Sequence, residues 1–97
     1  MQQKNNRARD ADQTSRIVTG LNNNVEFMGK QLHVQTEGIG SPATFVVTQI
    51  FSNGRVVFSK KSECSHDLNE IQNLMHNQHS QVIQDLAEKE ARIKGAS

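Results

Sequence analysis

The chain has one cysteine, one proline, no tryptophan, no tyrosine and four phenylalanines among 97 residues. A single thiol, Cys64, cannot close an internal disulfide. The lack of CxxC or Cys/His spacing around it argues against a closed zinc site, and a reducing compartment fits best. Charge of one sign is also lacking: 11 basic and 10 acidic residues leave a net charge of +1, so no long-range field favours nucleic acid or an anionic membrane. No apolar run approaches the roughly 20 residues that span a bilayer. Gln2 to Arg16 is almost wholly polar and lacks the apolar heart of a secretory leader, so the chain is expected to be cytoplasmic. A hydrophobic fraction of 34% limits it to one domain with a modest core, and self-association is expected of so small a domain.

Residues 1–22 are rich in Gln, Asn, Arg and Asp, and their one apolar pair is Ile17-Val18. They are expected to form a disordered tail, since so little apolar surface cannot offset the entropy of ordering. Residues 23–97 then make a single domain. Val25, Phe27, Leu32 and Val34 flank Gly29-Lys30, and a two-residue turn there pairs Phe27 with Leu32 and Val25 with Val34 on one face. Gly38, Gly40, Ser41 and Pro42 are expected to end that strand in an irregular loop. Thr44 to Phe51 is β-branched and aromatic, and Asn53-Gly54 is a strong hairpin signal that puts Phe51 opposite Val56 and Gln49 opposite Phe58.

Asp67 opens a D-x-x-E capping box with Glu70. Leu68, Ile71, Met75, Val82 and Leu86 follow on a helical period, widened by Leu74 and Ile83, with His79 inside the stripe. A helix from Leu68 to Lys94 would be about 40 Å long against about 23 Å for a seven-residue strand, so its end should overhang. The expected fold class is α+β: two antiparallel β-hairpins forming a four-stranded sheet, followed by one long C-terminal amphipathic helix, in the order ββββα. One helix covers one sheet face. Val46, Ile50 and Val57, on the other face of the second hairpin, are therefore expected to form a homodimer interface.

Chemistry-bearing residues are scattered. His76 and His79 stand at i and i+3, yet no carboxylate lies at a neighbouring ligand spacing, so no metal site is assigned and His79 is expected to be a hydrogen-bonded core residue. Cys64, Ser65 and His66 are adjacent, which does not align a thiol with an imidazole, and no enzyme is expected. The loop Glu37 to Pro42 lacks the third glycine and the lysine of a phosphate-binding loop. No cofactor is assigned. What remains is an adaptor that binds another protein through Gln35, Glu37, Thr48, Gln49 and Arg55. The alternative is a small-ligand or second-messenger sensor in which the same five residues line a pocket between the hairpins.

Leu32-His33-Val34-Gln35-Thr36-Glu37, Val47-Thr48-Gln49-Ile50-Phe51, Gly54-Arg55-Val56, Ser59-Lys60-Lys61 and Leu74-Met75-x-x-Gln78-His79 together carry a resemblance. They resemble a group of small bacterial proteins with an HVQTE…VTxIFxxG…SxKK…LMxxQH pattern, over roughly residues 25 to 86. The chain departs from that pattern at Cys64, where Tyr is common, and in having no acidic residue directly after Glu37. The resemblance implies a role similar to that of RomX-like adaptors in cell-polarity or motility signalling around a small GTPase.

Overall fold

The computed structural model describes residues 20–40, 43–65 and 67–95, so residues 1–19 of the expected tail, together with Ser41, Pro42 and His66, lie outside the described residues. The element order is β1 (Leu21–Phe27), β2 (Lys30–Gly40), β3 (Ala43–Ser52), β4 (Arg55–Glu63) and α1 (Leu68–Gly95). The four strands form one antiparallel sheet in the order β1-β2-β3-β4, with the helix on one face. This is the α+β, ββββα architecture the sequence predicts. β1 starts at Leu21, two residues before the expected boundary, because Leu21 pairs with Thr36 and packs on the core.

The first turn falls one residue earlier than expected, on Met28-Gly29 in place of Gly29-Lys30. Val25 consequently pairs with Leu32, and Phe27 with Lys30. Both turn residues have positive φ, 52° at Met28 and 82° at Gly29, as a type I′ turn requires. That turn matches the twist of the strands and puts glycine second, which explains the shift. Val25, Phe27, Leu32 and Val34 still share one face, since the pairing moves by two residues. Asn53-Gly54 forms the second I′ turn, with φ of 53° and 78°.

β2 does not end at Glu37. It continues through Gly38 and Ile39, paired with Val46 and Phe45, to Gly40 at φ 112°. The β-branched partner strand overrides the glycines by supplying a full ladder. In the second hairpin Phe51 faces Val56 as expected, but a bulge follows, so Phe58 lies opposite Ile50 and Gln49 opposite Ser59. The extra residue is Val57.

Val46 and Ile50 are buried beneath the helix, at 0% and 4% exposure, and are not a surface open to a second copy. The expected dimer face therefore does not exist as drawn. Leu32, Val34, Val46 and Ile50 point to the same side, and that is the side the helix takes. Of the three expected interface residues only Val57 is exposed.

The helix begins as the sequence predicts. The Asp67 carboxylate accepts from the amides of Asn69 (2.8 Å) and Glu70 (3.2 Å). The capping box closes through Ser65: the Asp67 amide donates to its hydroxyl, which donates to the Glu70 carboxylate. At the other end the Glu90 carboxylate accepts from the Met28 amide at 2.8 Å, tying the helix to the first turn, and Ala91 to Gly95 beyond it are exposed. That amide, with Lys94 at 3.2 Å, holds the Glu90 carboxyl below its usual range.

The core has two apolar clusters. One contains Leu32, Val34, Ile50 and Val82; the other contains Val46, Ile71 and Met75, with Cys64 and Leu68 against it. Between them lies a belt of buried polar side chains, Thr36, Thr48, Gln78 and His79.

Candidate functional site

Alternation along β3 decides what each sheet face presents. Val46, Thr48 and Ile50 go into the core, so Phe45, Val47, Gln49 and Phe51 form a column on the opposite, outer face. Cross-strand pairing extends each into a row: Ile39, Phe45 and Glu63; Glu37, Val47 and Lys61; Gln35, Gln49 and Ser59; His33, Phe51 and Val56. Among the described residues no element packs on this face. Phe45, Val47 and Phe51 are half-buried, while Ile39 and Val56 are 45% and 49% exposed.

The polar members of the face are held in place. The Gln35 amide donates to the Glu37 carboxylate. The His33 ring lies between the side-chain oxygens of Asn24, 2.9 Å from Nδ1, and Asn22, 3.0 Å from Nε2, and tilts against Phe51 with centroids 6.2 Å apart. The Lys61 ammonium sits 4.1 Å above the centre of the Phe45 ring, within cation–π range.

Of the five residues expected to contact a partner, the structure brings three together on this face: Gln35 and Gln49 directly opposite each other, and Glu37 in the next row. Thr48 is on the other side of the sheet and fully buried, so it contacts no partner. Its alternation with Val47 and Gln49 forces that placement. Arg55 is exposed beside the Asn53-Gly54 turn, about 10 Å along the strand direction from Gln49. The five do not line a common pocket.

His79 is the hydrogen-bonded core residue the sequence predicts; the rest of the polar belt around it, Thr36, Thr48 and Gln78, is the part sequence reasoning missed. The two hydrogens of the Gln78 amide are shared among Thr48 Oγ1 (3.0 Å) and the carbonyls of Val46 (3.3 Å) and Lys60 (3.2 Å), and its oxygen accepts from Ser62 (2.6 Å). Thr48 Oγ1 is 2.7 Å from Thr36 Oγ1, which is 2.8 Å from His79 Nδ1; His79 Nε2 is 2.7 Å from Asn23 Oδ1. Asn23 Oδ1 can only accept, so Nε2 carries the hydrogen and Nδ1 accepts from Thr36. Each hydroxyl then donates to the next group, giving a chain that fits a neutral imidazole. Burial, with His76 and His33 adding to it, pushes the His79 pKa down. A signal for the belt existed in the sequence: Thr36, Thr48 and the Gln78-His79 pair each interrupt an apolar period at the same depth in the fold.

Both His79 nitrogens are thus occupied and His76 is exposed on the helix, so the two do not converge on an ion. Among the described residues no group of three or more His, Cys, Asp or Glu side chains could hold a metal. Cys64 packs against the second cluster, and burial pushes its thiol pKa up, away from nucleophile chemistry.

A second feature adjoins β4. The helix crosses β1, β2 and β3 but leaves Val57 and Phe58 of β4 61% and 44% exposed. Between helix and strand runs an apolar groove of about 340 Å³, lined by Phe27, Leu32, Ile50, Phe58, Val82 and Leu86 and edged by Asp85 and Lys89. Comparison with protein-family models, curated proteins and solved structures returns no match. No described helix is long and apolar enough to cross a membrane.

Proposed function

We propose that the protein is a small non-catalytic interaction module, an adaptor that docks other proteins through the outer face of its sheet. One observation carries the reading: the column Phe45, Val47 and Phe51, interrupted by Gln49, lies on a sheet face that no described element covers, bordered by the hydrogen-bonded pair Gln35 and Glu37. Apolar patches rimmed by polar groups are the usual mark of protein contact surfaces. The titratable groups with displaced pKa values, Cys64, His79 and Glu90, are on separate parts of the molecule and do not converge on a reacting atom, which favours binding over turnover. Cytoplasmic adaptor work in bacterial cell-polarity or motility signalling around a small GTPase is the setting the sequence resemblance implies.

The test is a photo-crosslinking amino acid placed at Gln49, with a control at Asn73 on the exposed side of the helix. Protein adducts at position 49 and none at 73 are expected in cells that make the protein. Equal adducts at both positions, or none at 49, would remove the reading.

The groove beside β4 favours a second reading, a small-ligand sensor, at a place other than the pocket between hairpins. Its volume is in the range of small-molecule sites, roughly 300–1,000 Å³. A ligand bound there would raise the melting temperature by mass action.

A further inference from the structure

We infer that a second copy of this chain closes the outer sheet face, stacked sheet on sheet about a two-fold axis parallel to β3. The inference rests on the interaction-module reading and names the first partner of that face.

The row through Val47 carries the argument. Glu37 on β2 and Lys61 on β4 both pair with Val47, one on each side, at a strand spacing of about 4.8 Å. The row is therefore antisymmetric in charge about β3. A two-fold axis parallel to β3 exchanges the two sides, so Glu37 meets Lys61 of the partner subunit and Lys61 meets the partner subunit's Glu37. An axis across the strands would instead set Glu37 over the same residue of the other copy, with like charges opposed. The charges choose one isologous arrangement and penalise the other.

The apolar groups of the axis strand agree with that choice. Phe45, Val47 and Phe51 lie on it, so each approaches its own counterpart, while in the outer rows Ile39 lies over the partner subunit's Glu63 and Val56 over the partner subunit's His33. The alternative of edge-to-edge pairing through β4 is opposed by the bulge at Val57 and by Lys60 and Lys61, devices that blunt an edge strand. An axis on β3 overlaps β2, β3 and β4 of the two copies and leaves each β1 outside, so the shared face measures about 14 Å across and about 23 Å along seven residues. Stacking two such faces buries roughly 600–700 Å², below the usual range of a specific complex, so association is expected to be weak and to depend on concentration.

The experiment is light scattering on the full chain across about 1 μM to 1 mM, a range suited to a weak interface. Glu37→Lys and Lys61→Glu accompany the wild type, each checked for native circular dichroism; both sites are exposed. The wild type is expected to pass from monomer to dimer, and each single variant to associate at least tenfold more weakly. An equimolar mixture of the two variants should recover dimers, because every facing pair is again opposite in sign. A wild type that stays monomeric, single variants that associate as well as the wild type, or a mixture that fails to recover would each overturn the second copy. A monomer that still forms adducts through position 49 would overturn this inference while leaving the interaction-module reading in place; a monomer without adducts would end both.

Discussion

His79 is the residue on which most of the buried chemistry depends. Its two nitrogens link edge strand β1, through Asn23, to Thr36 in the middle of the sheet. Protonation would give Nδ1 a hydrogen facing Thr36; Thr36 would then have to donate to Thr48, whose hydroxyl already accepts from the Gln78 amide. The folded-state pKa is lowered, so below the ordinary value of 6.5 the unfolded chain takes up a proton that the folded one refuses. Stability is thus fully present above pH 6.5 and falls as the pH drops from there to the folded pKa, with a slope of at most about 1.4 kcal/mol per pH unit for one group. Urea unfolding of the wild type should show that decline between pH 7 and pH 5. In His79→Gln the decline should be shallower, and equal slopes would mean that His79 is not the linked group.

At the scale of elements, the two β-turns offer a matched comparison. Asn53-Gly54 and Met28-Gly29 have closely similar positive φ values, but Asn adopts the left-handed region at lower cost than Met. Met28→Asn is expected to stabilise the fold by roughly 0.5–1 kcal/mol, since the Met28 side chain is 41% exposed and little packing is lost. Gly29→Ala should cost about 1 kcal/mol from strain alone, as nothing lies within 4 Å of the added methyl. Urea midpoints would decide both. The same turn shows how far the sequence carries. Hydrophobic alternation identified which side chains share a face, because that needs only the period of two. The register needed the turn type, and Gly29 fits either the first position of a II′ turn or the second of a I′ turn. The bulge at Val57 left no mark in the pattern. It moved Phe58 opposite Ile50, and the expected interface residues Val46 and Ile50 went into the core because the helix follows the side of Leu32 and Val34, a choice made by the first hairpin. Gln35, Glu37 and Gln49, expected to contact a partner, were legible as polar strand residues; Thr48 was grouped with them although alternation sets it on the side of Val46 and Ile50, where hydroxyl and amide partners distant in sequence satisfy it.

For the whole molecule, the belt of Thr36, Thr48, Gln78 and His79 sets the height of the helix on the sheet. A slide of one turn would bring Met75 or Val82 against the threonine pair and push Gln78 and His79 into the apolar clusters, leaving buried polar groups unpaired at about 1–3 kcal/mol each. The apolar clusters alone impose no such penalty, because Val and Ile side chains repack readily against one another. Thr36→Val by itself should therefore destabilise the fold by about 1–3 kcal/mol, since it strands both the Thr48 hydroxyl and His79 Nδ1. Replacing the whole belt, with Thr36→Val, Thr48→Val, Gln78→Leu and His79→Leu together, should cost less than the summed single variants, because the bonds among the four are removed together and only the outer partners, Asn23, Ser62 and the carbonyls of Val46 and Lys60, lose a contact. Its loss should appear elsewhere: amide NMR spectra of the fourfold variant are expected to show broadened or duplicated signals along the helix as neighbouring registers become populated. A fourfold variant with one sharp set of native-like signals would mean that the flanking apolar clusters, and not the belt, fix the register.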